Sequence, residues 1–211
     1  MINRVIRLLI LSDLTLFFAF GLLAPIFAIF ITQNIEGGTL KVIGLASSFY
    51  WLARTLTTVP LSRLMDKTDG EIDEYFFMLV GSYAMAFIPL FYMISSQPWH
   101  IYALGFINGL FNSMAVPGWR IIFTNHIDRG QTGYEWSMED VGVGLSIGLS
   151  SYIGAFMAEK FGFELVFILI TIVGVSGVSF FIIPLRESMK SLKELRKTKR
   201  FGAPYKVDTL K

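Results

Sequence analysis

The sequence predicts an all-α integral membrane protein of six transmembrane helices, built as two inverted three-helix repeats. Three observations carry that expectation. Of 211 residues, 54% are hydrophobic and 16% charged, with a mean hydropathy of +0.59, too little polar surface to coat a globule in water. Six segments are each long enough to cross about 30 Å of hydrocarbon, which takes about 20 apolar residues. Lysine and arginine are also spread very unevenly over the intervening loops.

The spans are read at 5–31, 42–61, 75–93, 101–123, 141–158 and 165–183. The first follows Arg4, holds Arg7 in its opening turn and closes at Gln33, Asn34, Gly37 and Gly38. It is too long for a signal peptide, carries Asp13 and has no small-x-small cleavage site before Gln33. The second ends in the charged run from Asp66 to Glu74, and the third in the stretch from Ser95 to His100. Span four gives way to a long polar segment from Asn125 to Asp140, and span five to the short break from Glu159 to Glu164. Beyond span six, residues 186–211 form a basic tail, so the membrane domain is 1–185.

With the N-terminus cytoplasmic, the inside loops and tail hold Arg4, Arg7, Arg63, Lys67, Arg129, Arg186, Lys190, Lys193, Arg196, Lys197, Lys199, Arg200, Lys206 and Lys211, and the outside loops only Lys41 and Lys160. This positive-inside bias predicts two cytoplasmic termini in a bacterial or archaeal cell membrane.

Shifted by 92 residues, the chain matches itself: Pro25, Ile29, Thr32, Ile35 and Gly38 fall on Pro117, Ile121, Thr124, Ile127 and Gly130. Gln33/Asn125 and Glu36/Asp128 are conservative pairs, and with one residue of slip Met65-Asp66-Lys67 lies over Ala158-Glu159-Lys160. The repeats are 5–93 and 101–183. Three spans separate the copies, and an odd number reverses direction, so the duplication is inverted.

Two stretches resemble the major facilitator superfamily: the loop from Ser62 through Asp66, Lys67 and Asp69 to Gly70, and the region from Pro117 and Trp119 through Trp136 to Glu159-Lys160-Phe161-Gly162-Phe163. Ser62 replaces the first glycine of the family's loop signature, and Glu71 and Asp73 stand where basic residues are usual. The resemblance implies two six-helix halves of like orientation, of which this chain is one, so a C2 homodimer would complete the fold. It also implies that Asp66 faces the start of the partner's fifth helix as an inside latch, with Lys67 beside it. Glu139 and Asp140, at their own helix start, would repel Asp66 unless a basic residue intervenes.

Ionisable residues within spans are costly and are functional candidates by default. Asp13 lies eight residues into span one, about 12 Å deep. Arg54 and Arg120, seven and three residues before the ends of their spans, are both within its reach. The three form either a proton- or ion-coupling group or a static ion pair, and Arg120 is shallow enough to snorkel. On helix four, Asn108, Asn112 and Trp119 share a face with Ala115. With Phe17 and Tyr50 they are substrate-cavity candidates, although amides also join helices in membranes. Gly144, Gly148 and Tyr152 recur every four residues on helix five, a spacing that suits close helix packing at a dimer seam.

Function classes narrow accordingly. No cysteine is present, so disulfides and thiolate metal sites are excluded. His100 and His126 fall at opposite membrane faces, and no nucleotide-binding motif appears, so neither an enzyme nor an ATP-driven pump is expected. No cofactor, metal or nucleic-acid partner is indicated. The expectation is a secondary transporter that moves a small molecule by alternating access as a homodimer, with Asp13 the candidate for coupling to a proton or another ion. A non-transporting membrane scaffold and a truncated half of a twelve-helix transporter are the alternatives.

Overall fold

The computed structural model describes residues 2–67 and 70–189. Thr68 and Asp69 of the predicted latch loop and all of the basic tail beyond Met189 lie outside the described residues. The rest is helical: α1 Arg4–Leu23, α2 Phe27–Asn34, α3 Leu40–Met65, α4 Ile72–Met93, α5 Pro98–His126, α6 Thr132–Phe161 and α7 Phe163–Gly177, followed by a π turn at Val178–Ile182 and a 3-10 turn at Ile183–Ser188. Four stretches are long and apolar enough to cross a membrane: α1, α4, α6 and the run from Phe163 to Ser188. α3 and α5, at 26 and 29 residues, have the length but a more polar composition.

Several boundaries differ from the sequence reading. The first span is two helices, because Pro25 has no N–H to continue the ladder and Ile26 N bonds Leu23 O at 3.1 Å instead. Pro60, Pro89 and Pro117 sit inside unbroken helices. The segment read as a polar loop up to Asp140 is mostly the beginning of α6, which starts at Thr132 rather than at Val141. Glu135, Trp136 and Glu139 are polar or amphipathic, but nothing in them opposes a helix, so hydropathy ends well before the helix does. At the other end α6 runs to Phe161, and only Gly162, at φ +84°, turns the chain into α7. At the last described turns, the ring of Pro184 would meet the carbonyl of Phe180, and the widened π turn gives it room.

Packing exchanges the two halves of the sequence. α1 packs chiefly on α6 and α7, and α5 chiefly on α3 and α4, while α4 and α7 pair with each other. Close approach depends on missing side chains. A Cβ on Gly105 would lie 2.7 Å from Ala46 O, and one on Gly109 would strike the Tyr50 carbonyl, both across the α3–α5 seam. A Cβ on Gly154 would lie 2.7 Å from Leu22 Cα across the α1–α6 seam, where Ser150 is also buried.

Two groups of loops mark opposite ends. At one, Asn3 meets His126 and Asp128, Glu71 accepts from Asn125 Nδ2 at 3.3 Å, and Arg4 lies 3.8 Å from Glu187. At the other, Glu36 N donates to Ser96 O at 2.9 Å and Phe30 meets Phe163 edge-on at 5.6 Å. Asn3 is the knot of the first end. Its Oδ1 caps Ile6 N at 3.0 Å while its Nδ2 donates to His126 O at 2.6 Å. Asn3→Ala should therefore lower stability by about 1–2 kcal/mol, one cap plus one tie between helices, read as a drop in Tm in detergent.

Candidate functional site

Asp13, Leu16, Phe17 and Phe20 recur at helical spacing on one face of α1 and line a cavity of about 230 Å³. Opposite them α5 contributes Asn112, Ala115, Val116, Trp119 and Arg120, α4 contributes Ser82 and Met85, and α6 contributes Trp136 and Glu139. Asp13 is nine residues from the start of α1, Glu139 seven from the start of α6, and Arg120 six before the end of α5. At 1.5 Å per residue all three stand about 9–14 Å from the same end of the bundle. One turn of mismatch would have separated them.

The Asp13 and Glu139 carboxyl groups border the same space as the Arg120 guanidinium, and the three are close enough to act on one another electrostatically. A proton held between two neighbouring carboxyls would let one donate to the other, since an ionised carboxylate has no donor. Arg120 does not close an ion pair with either carboxyl, in contrast to Arg4, which lies 3.8 Å from Glu187.

Above this charged floor the walls are aromatic. Trp119, 8% exposed, stacks on Phe123 with ring centres 4.6 Å apart and meets Trp136 edge-on at 6.0 Å. Its indole Nε1 and the Asn112 Oδ1 are buried, and neither has a hydrogen-bond partner among the described residues. Asn112 is held from its other side, where Nδ2 points to Met85 Sδ at 3.6 Å. A buried unmet donor and acceptor each cost about 1–3 kcal/mol, a cost that a bound molecule bearing the complementary groups would remove.

Asp13, Arg120, Phe17, Asn112 and Trp119 are thus brought together. Glu139 joins them, where the sequence reading set it at a gate, because α6 begins early and Glu139 lies two turns inside it. Arg54 is not in the cavity; its guanidinium lies 5.0 Å over the Trp51 ring on the same helix. Tyr50 turns its ring to Trp51 as well, and Asn108 is half-buried outside the lining set. Ser62 and Asp66 end α3, with Asp66 N bonding Ser62 O at 2.9 Å, and Asp66 and Lys67 are exposed. Ser82, Met85 and Trp136 were missed. Trp136 and Glu139, three residues apart, would have revealed a helix face had the segment been read as helical, whereas Ser82 and Met85 carry no signal in an apolar span. Among the described residues no cluster of three or more His, Asp or Glu is arranged to hold a metal.

Comparison with known proteins adds two findings. The family model described as Major Facilitator Superfamily matches residues 9–206. The chain is also 24% identical over 152 residues to a protein of Bacillus subtilis (strain 168) named "Uncharacterized MFS-type transporter YitZ", an alignment covering 72% of this chain and 89% of that one.

Proposed function

The chain belongs to the Major Facilitator Superfamily of membrane transporters, and from that premise we propose that it is a proton-coupled secondary transporter working by alternating access as a homodimer of six-helix halves. The observation that carries this reading is the cavity, where a pair of carboxyls faces an arginine below aromatic walls. A carboxyl pair able to hold a proton inside a span, beside a guanidinium that does not neutralise it by contact, suits coupling of proton and substrate.

Several features support the half-transporter arrangement. The exchanged packing pairs the first helix of each triplet with the second and third of the other, which is the relation a twofold axis within the subunit would impose. The aligned 152 residues make up 89% of the YitZ relative, so that relative is itself short. α3 and α6 each leave a broad apolar face exposed, including Leu52, Leu56 and Val59 on one and Leu145, Leu149 and Phe156 on the other. In this reading all six long helical segments cross the cell membrane, and the end bearing Asn3, Arg63 and Arg129 is cytoplasmic.

A single cysteine tests the dimer, because the chain has none of its own. The exposed Gly144–Gly148 row has open space around each would-be Cβ. Gly148→Cys in native membranes should cross-link on mild oxidation to twice the 23.8 kDa subunit mass, as two Cα atoms within about 7 Å allow. Persistence of the monomer with both Gly144→Cys and Gly148→Cys, together with monomer mass in detergent, would remove the homodimer.

A further inference from the structure

We propose that the cavity takes a monovalent organic cation of single-ring size, its charged head between Asp13 and Glu139 and a hydrogen-bonding tail at Asn112. The proposal deepens the transporter reading and rests on it for the passage of this molecule across the membrane.

Charge decides the class. The floor holds two carboxyl groups against one guanidinium, so a positive head completes the balance that a proton otherwise supplies, whereas an anion adds to the surplus. A neutral polyol could rest its C–H faces on the aromatic walls but would leave the surplus carboxylate unbalanced, while a cation also gains from ring faces within about 6 Å. Those faces are at hand: Phe17, Phe20 and Trp136 all border the same space as the two acids.

Size is set by the volume. Pockets for drug-sized ligands run from about 300 to 1,000 Å³, and about 230 Å³ lies below that range. Length is set by α5, on which Asn112 and Trp119 are seven residues apart, about 10 Å along the helix. The buried Asn112 Oδ1 lacks a donor, so the far end of the guest carries a hydroxyl or amine hydrogen. Trp119 Nε1, at the level of the acids, offers its hydrogen to an oxygen of the guest or to the carboxyl floor once the shared proton has left.

Three probes with one body and different heads isolate the charge: tyramine, tyrosol and 3-(4-hydroxyphenyl)propionate. Binding to the full-length protein in detergent is followed by tryptophan emission in a Trp51→Phe, Trp99→Phe background, which leaves Trp119 and Trp136 at the cavity. Tyramine should bind at least tenfold more tightly than tyrosol, and the propionate most weakly. Glu139→Gln should cut tyramine affinity about tenfold and leave tyrosol within twofold. Asn112→Leu should abolish the advantage of tyramine over phenethylamine, which lacks the hydroxyl. Equal binding of tyramine and tyrosol, preference for the propionate, or silence from all three overturns the proposal. Transport is scored separately in proteoliposomes. Tyramine that binds as stated but never crosses would leave the site standing and sink the transporter reading, whereas flux of an anion without cation binding would do the reverse.

Discussion

Gly109→Leu should stop the subunit from assembling, with loss of the monodisperse peak on size exclusion and a fall in stability of about 3 kcal/mol or more. The obstacle is backbone: a Cβ at this position strikes the Tyr50 carbonyl and lies 3.0 Å from its carbon and 3.2 Å from the Ala53 Cβ. A side chain can rotate away, but a helix carbonyl cannot. Lipid tails are as apolar as leucine, so helices in a bilayer gain little from the hydrophobic effect and depend on close contact. Gly148→Leu provides the contrast. Nothing lies within 4 Å of its would-be Cβ, so the subunit should fold normally and only association with a second copy should suffer. A well-folded Gly109→Leu subunit would show that α3 and α5 do not approach as described.

Asp13→Asn should reduce proton-driven uptake about 100-fold while leaving energy-independent exchange of substrate largely intact. Asparagine keeps the shape of the side chain and a hydrogen-bond donor for Glu139 but carries no exchangeable acidic proton. The loss corresponds to about 2.7 kcal/mol of coupling free energy. Neutral asparagine within a span costs no more than a buried acid, so the variant should match the parent in expression and Tm, and a flux defect can be assigned to chemistry. Flux driven by a proton gradient that survives in both Asp13→Asn and Glu139→Gln would take the carboxyl pair out of the mechanism.

Helices were legible wherever apolar length alone defined them, as for α4 and α7. They were misread where polar residues continue a helix: Glu135 and Glu139 look like loop residues by hydropathy, yet Glu135 is fully buried and accepts the Asp128 N–H at 3.2 Å. The cavity was half legible for the same reason. Asp13, Phe17, Asn112 and Trp119 announce themselves as polar or aromatic positions on helix faces, and the spacing on each face is fixed by the helix. Which arginine Asp13 meets depends on how α1, α3 and α5 are rotated about their axes, and sequence spacing along one helix says nothing about rotation against another. Arg120 was therefore offered together with Arg54, and the structure separates them.

The exchanged pairing of α1 and α5 also sets a timetable for synthesis. α1 leaves the ribosome first, yet α6 begins at Thr132 and α7 at Phe163, well over a hundred residues later. At about 5–20 residues per second, α1 waits roughly 6 to 25 seconds beside lipid or an insertase, with Asp13 exposed to hydrocarbon until Glu139 and Arg120 arrive. α3 and α4 wait a shorter time for α5. The main contacts of the first triplet are with the second, so a nascent chain halted after α4 has little core to keep, and the cell's quality control meets a ladder of orphan helices rather than a finished half.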